Sequence, residues 1–324
     1  MKYLVTGAAG FIGMYTAKRL LEMGHEVIGL DNLNSYYSPE LKAYRLEQLK
    51  PFKNFHFVKL DLADREGMAA FFKQEQFERV IHLAAQAGVR YSIEAPFDYI
   101  DSNLVGMTSI LEGCRHNNVQ HLVYASSSSV YGMNDKIPFS ETDNVDQPVS
   151  LYAATKKANE LMAHAYSKLY AIPTTGLRFF TVYGPAGRPY MAPWLFTEAI
   201  LNDKPIKVFN HGKMQRDFTY IDDIVEGIVR IQDVIPATEI PYTLFNIGNN
   251  QPIELSRFIS AIETATGKQA LRISLGMQPG DVERTYADTE RLEKVVDYKP
   301  KMDIETGMQN FVQWYQSYRR SDYG

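Results

Sequence analysis

Short apolar runs alternate with helical patterns through the first half of this chain, and that alternation leaves few folds open. The runs predict strands at Lys2–Thr6, Glu26–Asp31, Phe55–Asp61, Arg79–Leu83, His121–Ser126 and Thr174–Phe180. Helical patterns such as Gly13–Met23 and Met107–Asn117 fill the gaps. A strand that is apolar on both faces needs cover on both, and a strand–helix–strand sequence sets its two strands parallel. The expectation is an α/β protein with a parallel sheet wound on both sides. After Tyr183-Gly184-Pro185-Ala186-Gly187-Arg188-Pro189 the rhythm changes to turn-rich segments and isolated helices. Short strands are expected there at Ile206–Asn210, Thr243–Ile247 and Ala270–Ser274. These predict a smaller α/β C-terminal substrate lobe over 181–324, after a nucleotide-binding domain over 1–180 to which the strand at about 243–247 returns.

The first strand runs into Thr6-Gly7-Ala8-Ala9-Gly10-Phe11-Ile12-Gly13, which opens the first helix. Glycines so placed permit a tight turn and bring a pyrophosphate close to unpaired N–H groups at the helix N-terminus. The second strand ends in an acid, Asp31, where a carboxylate can accept from both hydroxyls of an adenosine ribose. A 2′-phosphate would be repelled there, and no arginine is adjacent, so NAD is favoured over NADP. Strand, glycine turn, helix and strand-end acid together are the Rossmann arrangement. Asp61, ending the third predicted strand, is placed beside the adenine.

A second cluster lies in mid-chain. Ser126-Ser127-Ser128-Ser129-Val130-Tyr131-Gly132 ends the fifth strand, and Tyr152-Ala153-Ala154-Thr155-Lys156 follows on a predicted helix. A phenol and an ammonium one helical turn apart share a helix face. Bringing a phenol from its usual pKa near 10 to about 7 takes roughly 4 kcal/mol of preferential stabilisation of the phenolate. A fixed lysine charge supplies part of that, and a serine hydroxyl can share the proton.

Other classes fall away. The 324 residues carry a net charge of −4, which gives nucleic acid or an anionic membrane no electrostatic foothold. No apolar stretch approaches the roughly 20 residues that span a bilayer. One cysteine, Cys114, forms no internal disulfide and suits a reducing compartment. The N-terminus enters a strand at once, so no signal peptide and a cytoplasmic location are expected. No metal site is expected.

The glycine turn, the serine strand end before Val130-Tyr131-Gly132, the Tyr152/Lys156 pair and Gln215-Arg216-Asp217-Phe218-Thr219-Tyr220-Ile221-Asp222-Asp223 occur in this order. Together they resemble the extended short-chain dehydrogenase/reductase superfamily, and within it the nucleotide-sugar epimerases and dehydratases. The resemblance implies Tyr152 as base, Ser127 as proton-sharing partner and Lys156 as holder of the nicotinamide ribose. It implies NAD contacts at Gly7, Gly10, Phe11, Ile12, Gly13, Asp31 and Asn32, then at Asp61, Leu62, Leu83, Ala84 and Ala85. Further contacts are implied at Asn103, Ser126, Tyr152, Lys156 and Phe179. Arg216 matches the residue that grips the UDP pyrophosphate, and Val208 belongs to the same substrate set. Where many relatives have a second arginine, this chain has Gln278-Pro279-Gly280-Asp281, leaving Arg284 and Arg90 as candidates for the second clamp.

The reaction is narrowed by what stands next to Ser127. Dehydratases of this type carry Asp-Glu there and decarboxylases a Glu, whereas this chain has Ser128 and Ser129. Without a carboxylate aimed at C5 or C6, epimerisation remains. Thr181 replaces the Asn usual in UDP-galactose 4-epimerases, and the run Gly187-Arg188-Pro189-Tyr190-Met191 resembles UDP-glucuronate 4-epimerases. Two serines, Thr181 and Arg188 would suit a C6 carboxylate, with Arg188 acting across the sugar or across a dimer. The expected activity is interconversion of UDP-glucuronate and UDP-galacturonate with bound NAD. UDP-glucose/UDP-galactose epimerisation and a non-catalytic dinucleotide sensor are the alternatives. A homodimer through helices over Ser92–Cys114 and Ala153–Leu169 is the family's mode of association.

Overall fold

The computed structural model describes residues 1–276, 284–321 and 323. Its strands in chain order are β1 (Lys2–Thr6), β2 (Glu26–Asp31), β3 (Phe55–Lys59), β4 (Arg79–His82), β5 (His121–Ser127) and β6 (Thr174–Phe179). They continue with β7 (Thr181–Tyr183), β8 (Ile206–Val208), β9 (Gln215–Tyr220), β10 (Tyr242–Ile247), β11 (Pro252–Glu254), β12 (Arg272–Ser274) and β13 (Arg284–Thr285). Seven of them form one sheet in the order β10-β6-β5-β4-β1-β2-β3. Every neighbouring pair in it is parallel. The order reverses between β1 and β4, and a doubly wound sheet binds ligands at that switch point.

Successive residues of these strands enter different apolar clusters. Val5, Ile81, Val123 and Leu177 join one on one face of the sheet, together with Phe245. Leu4, Val80, Leu122 and Tyr124 join another on the opposite face. Each fully buried Leu, Ile or Val contributes about 1.5–3 kcal/mol, so the two-sided apolar pattern is what holds the helices on both faces.

The chain leaves this sheet at Phe179 and enters a second one two residues later. There β7 lies parallel to β9, β11 antiparallel to it, and β13 parallel to it. Two acids of the Gln215–Asp223 motif turn out to be structural. Buried Asp217 accepts from the backbone N–H groups of Asn249 (2.8 Å), Asn250 (3.1 Å) and Ala287 (3.1 Å). Asp223 accepts from those of Lys301 (3.1 Å) and Met302 (3.0 Å). The final helix, Ile304–Tyr318, returns to the first half, where Trp314 Nε1 donates to Tyr44 Oη (3.0 Å).

Several boundaries differ from expectation. The strand expected over Ile206–Asn210 stops at Val208, because Asn210 and His211 adopt left-handed backbone angles (φ 46° and 49°). The helix expected over Ser92–Cys114 is broken into Tyr91–Glu94, Pro96–Tyr99, a wider-wound stretch Ile100–Val105, and Gly106–His116. Pro96 explains the first break, since the residue before a proline is pushed out of the helical region, and Ala95 sits at φ −128°, ψ 63°. The reading of Gln278–Asp281 lies outside the described residues.

Candidate active site

A cleft of about 420 Å3 opens at the C-terminal ends of the parallel strands, over the switch point. Its nucleotide end is made of backbone. The helix Phe11–Glu22 starts without a side-chain cap and without an acid in its first turn, which leaves its first N–H groups for a ligand. By contrast, Ser150 caps the helix Leu151–Tyr170 by accepting from Ala153 N (3.1 Å). Gly13 has to be glycine, since a Cβ there would stand 2.0 Å from the Gly7 carbonyl oxygen. Asp31 is held by backbone N–H groups of Ala9 (3.2 Å) and Leu33 (2.9 Å). Asp61 accepts from Asn32 Nδ2 (2.8 Å) and Ala63 N (2.9 Å). An anion cradle flanked by a strand-end acid fits a dinucleotide. Gly7, Gly10, Phe11, Ile12, Gly13, Asp31, Asn32, Asp61 and Leu62 all lie on the cleft wall, as do Leu83, Ala84, Ala85, Ser126 and Phe179.

Next along the wall come Ser127, Ser128, Ser129, Tyr152, Lys156, Thr181 and Arg188. The strand end places the serines and the following 3-10 turn, Ser128–Tyr131, begins on Ser127, whose Oγ accepts from Ser129 N (3.1 Å). That hydroxyl also donates to Ser129 Oγ (3.1 Å), and it acts on the Tyr152 phenol to lower its pKa. With a single proton, Ser127 can donate toward Ser129 while Tyr152 is neutral and toward Tyr152 when the phenol ionises. Burial pushes the Tyr152 pKa up, while the Ser127 hydrogen bond and the Arg188 charge pull it back.

Lys156 Nζ donates to the Ala125 carbonyl (2.9 Å), and burial pushes its pKa down to about 8 against the opposing pull of Glu160. Glu160 is itself locked by Arg178 (2.8 Å to each oxygen) and by Ser126 Oγ (2.6 Å). Below the glycine turn, Thr6 Oγ accepts from the N–H groups of Leu83 and Ala84 (3.1 Å each) and lies 2.7 Å from His82 Nδ1. Its own proton therefore goes to Nδ1, and His82 is neutral with its proton on Nε2. Burial, with the Lys156 charge, drives its pKa down to about 3.

Residues 3–248 match the NAD dependent epimerase/dehydratase family. The chain belongs to that family. It is 48% identical to a probable UDP-glucuronate 4-epimerase of Rhizobium meliloti, across 99% of both chains. It is 46% identical to a UDP-glucuronate 4-epimerase of Arabidopsis thaliana, over 98% of this chain and 76% of the plant protein. Among solved structures, the UDP-glucuronic acid 4-epimerase of Bacillus cereus in complex with UDP-glucuronic acid and NAD superimposes with a TM-score of 0.89. The two share 33% identity over 98% of this chain and 99% of that one.

Five candidates in this epimerase/dehydratase chain stand off the cleft wall as described. Asn103 is buried behind it, bonding Gln86 N and O (2.9 and 3.0 Å) and Thr155 Oγ (3.0 Å). It thus joins the loop after β4 to the helix that carries Tyr152. Val208 is buried beside Ile206 and Ile259. Arg216, whose Nη1 donates to Gln215 O (2.8 Å), and Arg284, stacked 4.5 Å from the Tyr286 ring, lie on adjacent strands of the second sheet. Arg90 is exposed.

Sequence reasoning passed over Asn34, Tyr36, Tyr37, Lys42, Gln86 and Met191, all on the wall. Lys42 is the most telling. The residue is 5% exposed, and its Nζ donates to Asn34 O and Oδ1 (2.7 Å each) and sits 4.0 Å from Asp31. A lysine in the pattern Pro39-Glu40-Leu41-Lys42-Ala43-Tyr44-Arg45 reads as a solvated helix face; only the turn after β2 folds it inward.

Proposed function

We propose that this chain interconverts UDP-glucuronate and UDP-galacturonate by NAD-dependent epimerisation at C4, through a transient 4-keto sugar. The observation that carries this reading is the distribution of charge in the cleft. Among the described residues, its carboxylates are Asp31 and Asp61, both at the nucleotide end. The sugar end offers Ser128, Ser129, Thr181 and Arg188, three hydroxyls and a cation. An arginine flanked by hydroxyls suits a C6 carboxylate, and no acid stands there to drive elimination or loss of carbon dioxide.

NAD, when bound, takes up the C4 hydride and gives it back. The chain does the rest. Gly7, Gly10 and Gly13 with the uncapped helix hold the pyrophosphate, and Asp31 holds the adenosine ribose. Asn32, Asp61 and Leu62 border the adenine side, and Lys156 holds the nicotinamide ribose. Ser127 holds its own proton toward the Tyr152 phenolate, the phenolate accepts the proton of the C4 hydroxyl as Ser127 turns back to Ser129, and the same pair returns the proton. Arg188, Ser128, Ser129 and Thr181 fix the carboxylate near the plane of the C4 ketone, where the bond to carbon dioxide overlaps poorly with the carbonyl. Arg216 and Arg284, with Val208, hold the UDP part from the smaller lobe, residues 181–324. In this reading residues 1–180 and the strand β10 form the dinucleotide domain.

Two copies pair through the Leu151–Tyr170 helix and the broken helix before it. Ile93 and Phe97, each 78% exposed, with Leu161 and Leu169 support that pairing. The single buried cysteine suits the cytoplasm, and among the described residues no helix is long and apolar enough to cross a membrane.

The test is turnover of UDP-glucuronate against UDP-glucose with separation of the products. A site that hydrogen-bonds a group rejects analogues without it by up to about 10⁴–10⁵. Comparable turnover of the two sugars overturns the uronate reading in favour of a UDP-glucose 4-epimerase.

A further inference from the structure

Arg45 heads the fully buried side chains of the described residues by size, and the chemistry above makes no use of it. Its guanidinium makes five hydrogen bonds. Nε and Nη2 both donate to the carbonyl of Ala186 (3.0 and 2.8 Å), and Nη2 also reaches Gly187 O (3.2 Å). Nη1 donates to Ala9 O (3.1 Å) and Tyr37 Oη (2.6 Å). None of these partners is a carboxylate. A charge taken out of water is costly unless its donors are met, and here neutral acceptors from three separate segments meet them.

Each acceptor belongs to a segment that shapes the cleft. Ala9 is inside the glycine turn, Tyr37 is on the wall, and Ala186 and Gly187 directly precede Arg188. Ala186 is held at φ 57°, a left-handed backbone that alanine seldom adopts, and its carbonyl takes two of the five bonds. Two residues on, Arg188 Nη2 donates to Ala87 O (3.2 Å), and its charge acts on Tyr152.

We infer that Arg45 is a positioning residue: from the cofactor's glycine turn it sets the 186–188 segment, and so aims Arg188 at the sugar's C6 group beside Tyr152. This rests on the functional reading that places Arg188 against the uronate. The planar fork matters as much as the charge, because a lysine presents one ammonium and cannot span Ala186, Gly187, Ala9 and Tyr37 at once.

The experiment is a cycle on the full-length protein with saturating NAD, using Arg45→Lys, Arg188→Met and the double variant. Turnover of UDP-glucuronate and of UDP-glucose is read for each. Arg188→Met is expected to lower kcat/KM for UDP-glucuronate and narrow its preference over UDP-glucose. Arg45→Lys is expected to do the same, falling mainly in kcat, by up to the about 100-fold that a 1 Å misplacement costs. In the Arg188→Met background it should add less than about threefold, since residues acting through one another are not additive. A merely loosened fold would slow both sugars alike and leave the preference unchanged. Independent, multiplying losses, or an Arg45→Lys protein with unaltered preference, overturn the inference while the functional reading stands. An Arg188→Met protein with unaltered turnover and preference overturns both. Should Arg45→Lys fail to fold, Tyr37→Phe removes one acceptor at almost constant volume, and the same non-additivity with Arg188→Met decides the matter.

Discussion

The two ends of the cleft are built on different principles. The nucleotide end is built around one continuous stretch, strand to glycine turn to helix to strand-end acid, and the donors of that stretch are backbone. The sugar end gathers Ser127–Ser129, Tyr152, Thr181 and Arg188 from four separate places in the chain, and its donors are side chains. A backbone cradle tolerates any dinucleotide that fits. A side-chain cluster can be rewritten one residue at a time, which is why one scaffold can serve several sugars.

Substitutions can be ranked by how sharply they separate the ends. Tyr152→Phe should have the largest effect, a loss of about 10²–10⁴-fold in turnover with NAD binding nearly intact. Turnover above about a tenth of the original would show that the chemistry does not run through this phenol. Next, Asp31→Ser should weaken NAD by about 1.5–3 kcal/mol, the worth of hydrogen bonds to a charged group, and admit NADP. Titration of the two cofactors by fluorescence checks this, and equal binding of both by the unaltered protein contradicts the reading of Asp31.

A smaller effect is expected for Thr181→Val, about 1–3 kcal/mol in kcat/KM for UDP-glucuronate. UDP-glucose turnover should barely move, and NAD affinity should not move at all. An equal loss for both sugars would remove Thr181 from carboxylate recognition. The smallest is a displacement of a profile. Tyr152 must be deprotonated to act as base, so kcat/KM rises with pH through its pKa. Ser127 lowers that pKa, so Ser127→Ala should move the rise to higher pH. A rise that stays in place would separate Ser127 from the proton.

Much of the nucleotide end was legible because its rules are local. Gly7, Gly10, Gly13 and Asp31 announce themselves by spacing alone, and all lie on the wall. Tyr152 and Lys156 were legible by helical periodicity, and the serines as a strand end. Lys42 and Arg45 were not, since a buried cation on a helix is spelled like an exposed one, and its acceptors lie up to 142 positions away. Asp217 was given no role from sequence. Set in a functional-looking motif, it serves the backbone of Asn249, Asn250 and Ala287. Pro96 was visible, yet the helix expected over Ser92–Cys114 comes whole from the family's mode of association, and the break that the proline imposes goes unread there.

One edge strand of the large sheet, β10, is made only after the chain has left that sheet and formed β7 and β9 of the second one. A truncated protein ending near residue 180 would therefore carry a bare flank along β6, with the N–H and C=O groups that now face Tyr242–Ile247 unpaired. Such a rim is a template for other chains. The first 180 residues are thus a poor unit to transplant, and fusions or split versions of this protein should keep β10 with the half that it closes.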